Sequence, residues 1–240
     1  METSQDNKKI VAALIAALAG AASNSALHAG QPLVTDDAAI VAPGTCQLEA
    51  WYHPTHDGHE YWAQPACNFT GNLELALGLA RAFPDRDPTS SLIHLQAKTA
   101  GFSRDDNRSS FGIVASGDRD TGAAHGRTAF QGFNLTGLAS WYPRDDLEID
   151  LNLGAANAYG SGTFALAGAA IQYAVLPNLQ LLAEVFRDEP GSARHQVGAR
   201  WIVTPNRFEV YASYGNLIRG SSDRWSAIIG IRLQTAELLP

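Results

Sequence analysis

Residues 147–155 read Leu-Glu-Ile-Asp-Leu-Asn-Leu-Gly-Ala, with apolar side chains at odd positions and polar or small ones at most even positions. A period of two sustained over about nine residues marks a strand with one apolar face, at the length a tilted strand needs to cross a bilayer. The pattern recurs along the chain. Leu73, Leu75, Leu77 and Leu79 alternate with Glu74, Ala76, Gly78 and Ala80, and Ile93, Leu95 and Ala97 with His94, Gln96 and Lys98. Val197, Ala199, Trp201 and Val203 alternate with Gln196, Gly198, Arg200 and Thr204, with Ile202 the exception. Phe208, Val210, Ala212 and Tyr214 alternate with Glu209, Tyr211, Ser213 and Gly215. Strands are predicted at 46–53, 60–69, 72–83, 91–102, 109–117, 128–142, 146–157, 163–175, 178–188, 194–204, 207–216 and 224–235. In water each leucine face would have to meet a second sheet; in a membrane it meets lipid, and the polar face lines a lumen.

The connections add an independent signal. Every second one is compact and carries turn residues, as at Thr70-Gly71-Asn72, Tyr142-Pro143-Arg144-Asp145, Leu176-Pro177-Asn178 and Thr204-Pro205-Asn206. Those between them (53–59, 84–90, 118–127, 157–162, 188–193 and 216–223) are mostly longer and more polar; 103–108 is the one long member of the compact class. Short periplasmic turns opposite long external loops are a property of outer-membrane barrels, and this pattern puts both termini on the periplasmic side. Trp51, Tyr52, Tyr61, Trp62, Phe83, Phe102, Trp141, Tyr142, Tyr159 and Trp225 fall at predicted strand ends, where they would form two interfacial girdles. Pro65 removes a ladder donor and predicts a bulge, and the last strand lacks a terminal aromatic.

Near the N-terminus Lys8-Lys9 precede an apolar run, Ile10 to Ala22, and then small and polar residues. This is the layout of a secretory signal peptide, read here as residues 1–29, and the run is too short to span a membrane as a helix. Residues 30–45, with two prolines and no sustained period, are expected to form a periplasmic lead-in tucked into the barrel mouth, and the barrel occupies 46–240. Apolar residues make up 45% of the chain, charged ones 17%, and mean hydropathy is −0.11, the average expected when the two kinds alternate. A net charge of −7 leaves no basic stripe for nucleic acid. Pairing Tyr52 with Tyr61 in the first hairpin sets Cys46 opposite Cys67, which predicts a disulfide in an exported chain.

Candidate chemistry lies on the inward face. Glu49, Glu74, Lys98, Glu148, Asp150, Glu184, Arg200, Glu209 and Arg232 are expected to line the lumen, where they pair with one another or meet water. Inward Gly and Ala leave room for a narrow passage or cavity, and the acid excess favours cations. Asp36-Asp37 is read as a cation site, a cap onto lumen arginines, or local turn bonding. His53, His56 and His59, with Asp57 and Glu60, hold enough imidazole and carboxylate for Zn or Cu; an exposed loop that happens to carry histidines is the alternative. His94 and His195 are read as facing the lumen with no evident Ser and Asn beside them, and no Gly-x-Ser-x-Gly elbow occurs, which disfavours an acyl hydrolase.

Pro32-Leu33-Val34-Thr35-Asp36-Asp37-Ala38, with Pro43-Gly44 and Gln47-Leu48-Glu49, resembles a group of small bacterial outer-membrane proteins related to transporters of the MetA pathway of phenol degradation. The resemblance implies a barrel of this size for small hydrophobic or aromatic compounds and brings no site residues with it. The expectation is an all-β, closed antiparallel transmembrane barrel of about twelve strands. It would be non-enzymatic and without a cofactor. Its partners would be outer-membrane lipid, the outer-membrane assembly machinery and a small solute or ligand. A non-conducting interaction barrel with an external-loop site is the alternative, and an outer-membrane acyl hydrolase the third reading.

Overall fold

The computed structural model describes residues 31–86, 88–103, 108–121, 129–158, 162–190, 192–219 and 224–236; the expected export signal lies outside them. Twelve strands follow the alternating segments: β1 (Cys46–Thr55), β2 (Gly58–Asn68), β3 (Leu73–Pro84), β4 (Ser90–Ser103), β5 (Ser109–Asp120), β6 (Ala129–Arg144), β7 (Leu147–Ala158), β8 (Gly162–Leu176), β9 (Leu179–Glu189), β10 (Ser192–Thr204), β11 (Phe208–Leu217) and β12 (Ser226–Gln234). Each pairs antiparallel with its sequence neighbours and β1 pairs with β12, so the sheet closes with no free edge. At the seam the Thr235 N–H donates to the Cys46 carbonyl at 2.8 Å, and the Cys46 N–H donates to the Thr235 hydroxyl at 3.0 Å. These bonds finish the ladder where no terminal aromatic stands. The two faces separate cleanly: Leu153 is 73% exposed outside, whereas Glu148 and Asp150 are 0% exposed inside. An apolar outer surface with a charged interior suits a lipid surround.

Several local expectations are corrected. The His-rich connection is a tight turn at His56-Asp57, because β1 runs on to Thr55 and β2 starts at Gly58. Gly58 is required there: its φ is 143°, and a Cβ would lie 2.4 Å from the Phe83 carbonyl oxygen. The connections after β7 and β9 shrink to 159–161 and 190–191, since polar residues such as Asp188 and Glu189 prolong the strand. Pro65 makes no bulge. Pairing with β3 keeps one register on either side, Ala63↔Leu79 and Ala66↔Ala76, so the proline omits a donor without adding a residue. A register shift falls instead between Trp141 and Arg144, a stretch containing Pro143.

The aromatic residues divide by face. Tyr52, Tyr61 and Phe83 cluster with His59, and Tyr61 and Trp141 are about half exposed on the outside, as a girdle requires. Trp51 and Trp62 do not join it. They share the inward parity of Glu49 and Glu60 and stack inside the barrel, 5.4 Å between centroids and 3° from parallel. Tyr159 lies outside the described residues.

The register Tyr52↔Tyr61 does oppose Cys46 to Cys67, and the two are joined by a disulfide. It crosslinks residues 21 apart at the end of the barrel where the lead-in enters. Replacing both cysteines with serine is expected to cost about 3 kcal/mol, from the entropy a loop of this size gains in the unfolded chain. A fall in the thermal midpoint of heat-modifiable gel mobility would register it.

Residues 31–45 add no strand. They turn at Ala42–Thr45, where the Thr45 N–H donates to the Ala42 carbonyl at 3.1 Å, and run into the barrel. Asn68 at the base of β2 holds the entry: its side-chain N–H donates to the Val41 carbonyl at 2.8 Å, and its carbonyl accepts from the Gly44 N–H at 2.9 Å. Two of the small apolar clusters in the interior join this segment to the wall, Leu33 with Ala170 and Leu182, and Ala38 with Val114 and Leu138.

Candidate functional site

An irregular backbone inside a barrel must find partners for its N–H groups, and each one left bare costs kilocalories. The inward carboxylates supply them. Glu184 accepts from the N–H of Val34 at 2.9 Å and of Thr35 at 2.8 Å, and Glu74 accepts from Val41 at 2.9 Å. Ser140 accepts from the Ala38 N–H at 2.9 Å and passes its own proton toward Asp150 at 2.5 Å. With its amide turned so that both atoms are satisfied, Asn152 donates to the Asp36 carbonyl at 2.8 Å and accepts from the Asp36 N–H at 2.7 Å. Gln196 donates to the Pro32 carbonyl, and Arg200 to that of Gln31 at 3.4 Å. Gly168 makes the close approach possible, since a Cβ there would sit 2.4 Å from the Thr35 hydroxyl oxygen.

Asp36 and Asp37 cap the segment onto the wall through a lysine, where an arginine is one of the three readings. Lys98 Nζ lies 2.8 Å from Asp36 and 2.9 Å from Asp37, with the ammonium and Asp37 almost wholly buried. Asp37 also accepts from the Ala39 N–H at 2.9 Å, the local turn bond. The arginines belong to a second network. Arg232 binds Glu209 and lies 3.9 Å from Glu49, while Arg200 sits 3.6 Å from Glu209 and donates to Gln172 and Gln180 at 3.2 and 3.3 Å. Asp150 accepts from Gln172 at 3.0 Å, and Glu148 beside it in the strand is fully buried. All nine inward charges named from the sequence thus point into the barrel, but Glu74, Glu184, Asp150, Lys98 and, through Gln31, Arg200 serve the lead-in.

The lead-in leans on β3 round to β10 and leaves the β1–β2 side open. A chamber remains in two adjoining lobes, of about 600 Å³ against β1 and about 660 Å³ against β4 to β9, with Val34, Asp36, Trp62, Gln96 and Phe186 bordering both. The first lobe is bordered by Thr55, His53, Trp51, Glu49 and Gln47, the inward positions of β1 in succession, so it follows that strand from the hairpin turn almost to its first residue. The Gly and Ala room read as a narrow passage or cavity is therefore shared: much of it seats the lead-in, and the two lobes remain beside it.

The three candidate metal histidines are not brought together. Period two places His53 inside, 3.4 Å from Glu60, and His59 outside, stacked on Phe83, while His56 pairs with Asp57 at 2.9 Å in the turn. Among the described residues no group of three or more His, Cys, Asp or Glu could hold a metal ion. His94 faces the interior and bonds Asp118 at 2.7 Å. His195 does not: it shares parity with the exposed Val197 and Trp201 and is itself exposed, so its expected lumen position is corrected. Its same-face strand neighbours are Ala193 and Val197, and its cross-strand partners are Val185 and Asn216, so no hydroxyl nucleophile flanks it.

The depth of the lead-in's seat and the internal tryptophan pair go beyond what the sequence indicates. A hint was present in the inward carboxylates that outnumber inward cations, since buried carboxylates need donors, and an N-terminal segment without a strand period has N–H groups to give.

Among solved structures the chain is similar to the KdgM porin in complex with disordered oligogalacturonate, at 15% identity over 79% of this chain and 99% of that one, with a TM-score of 0.58. It is similar to the NanC porin at 10% identity over 78% and 98%, also with a TM-score of 0.58. At such identities the likeness concerns the fold, a closed antiparallel β-barrel. A comparison with curated proteins finds none that matches. The model of a family described as Uncharacterised conserved protein UCP029691 matches residues 16–235.

Proposed function

The chain belongs to that family of conserved proteins, and from its closed barrel and half-filled interior we infer an outer-membrane barrel that admits small molecules and passes them along β1. Residues 1–29 export it, both termini lie in the periplasm, and the hairpin end carrying His56-Asp57 faces outward. Lipid covers the leucine face, and insertion depends on the outer-membrane assembly machinery. The observation that carries the reading is the cavity bordered by successive inward residues of β1 from Thr55 to Gln47. The stacked Trp51 and Trp62 on that path support a solute with an aromatic or apolar body, the class implied by the resemblance to MetA-pathway transporters.

Single-channel recording of the folded protein in a planar bilayer tests this. Small discrete steps are expected, and Trp62→Ala, which removes an indole from the wall of the path, should enlarge them. The lead-in's occupation of much of the lumen favours the second reading, a non-conducting binding barrel. Electrical silence from a barrel with demonstrated heat-modifiable mobility would select that reading over passage.

A further inference from the structure

The wall that borders the path is unusual in its charges. Residues 46–68, which contain β1, the turn and β2, include no lysine or arginine. Their inward faces carry Glu49 and Glu60, the two stacked indoles and His53. Glu60 accepts from the Trp62 indole N–H at 2.7 Å, which sets the ring against the path with a carboxylate at its edge. Glu49 is 5% exposed and ion-paired with Arg232 at 3.9 Å, and its Oε1 accepts no hydrogen bond among the described residues. Of the cations that border the same lobe, Lys98 is engaged by Asp36 and Asp37, Arg194 lies 3.5 Å from Glu189, and Arg224 is exposed.

Indole faces attract cations through their quadrupole, and a desolvated carboxylate attracts them more strongly still. An anion would meet the same carboxylates as a barrier, and a neutral ring would gain only stacking. We propose that the path along β1 selects organic cations, ammonium groups carried on an aromatic or apolar body, held between Glu49, Glu60 and the Trp51–Trp62 pair. This names the solute class for the passage reading and rests on it.

The test uses the full chain extracted from membranes in detergent, titrated with benzyltrimethylammonium, whose charge is independent of pH, while tryptophan emission is followed. Benzyl alcohol and phenylacetate are the neutral and anionic counterparts. Saturable binding of the cation is expected, at least about tenfold tighter than either counterpart, a ratio within reach of one desolvated cation–π contact joined to one carboxylate. Glu60→Gln keeps an acceptor for the Trp62 N–H and removes only the charge, so it should weaken the cation by a similar factor and leave benzyl alcohol unchanged. Glu49→Gln should act in the same direction from the opposite end of the path. Equal binding of the three probes, preference for phenylacetate, or indifference to both substitutions would overturn the proposal. If no probe binds while conductance steps persist, the cation class fails and passage stands; if the steps are missing too, both fail.

Discussion

Deleting residues 32–41 is expected to raise single-channel conductance by about threefold or more, because the interior of a twelve-strand barrel is wide enough for water once nothing fills it. The segment crosses the interior in contact with β3 to β10 and leaves a lobe beside β1 and a second lobe against β4 to β9. Its removal breaks no ladder bond, since all twelve strands pair with one another without it. It does free Glu74 and Glu184 from their amide donors and leaves them to water. Ion selectivity should therefore shift toward cations as the pore widens. Bilayer recording of the folded variant reads both effects together. A conductance equal to that of the full chain would mean that the segment does not sit in the barrel in a membrane, and the arrangement proposed for the path would fall with it.

Lys98→Met should reach much of the same state by a single substitution. The ammonium lies between Asp36 and Asp37 with 5% of its side chain exposed, so its loss strands two carboxylates in the interior. Breaking a buried ion pair from one side costs about 3–5 kcal/mol. The barrel need not bear that cost, because the lead-in can leave and hydrate its aspartates. The expected result is a segment newly open to protease, conductance raised toward the deletion variant, and little change in the thermal midpoint of the barrel. The triple variant Lys98→Met, Asp36→Asn, Asp37→Asn removes the stranded charges and should return the protease protection. Persistent protection in Lys98→Met alone would show that the backbone bonds to Glu184, Ser140 and Glu74 seat the segment unaided.

The histidines and tryptophans show where local pattern succeeds and where it misleads. Strand parity is enough to place His53 and His59 on opposite faces, and so to deny them a shared metal, once the hairpin is known to be tight. The misjudgement lay in the turn: polar residues at 53–59 look like a loop, yet they continue the strands past the apolar belt to the Gly58 turn. Trp51 and Trp62 sit near strand ends, which suggested a girdle, whereas parity with Glu49 and Glu60 puts them inside. Where proximity to a strand end and parity disagreed, parity was right, because a side chain cannot change face without shifting the whole register. His195 follows the same rule.

Alternation and turn residues by themselves determined the strand count, the face of each leucine row and the register that joins Cys46 to Cys67. Those are local properties, set by a period of two and by neighbours a hairpin apart. What fills the barrel was decided only by tertiary structure. Ala38 finds Ser140 at a separation of 102 residues and Val34 finds Glu184 at 150, across a lumen that exists only after β1 has met β12. Inward carboxylates read the same in sequence whether they line water or hold amides. The closed barrel brings the lead-in's N–H groups to Glu184 and Glu74, and burial makes their pairing there obligatory.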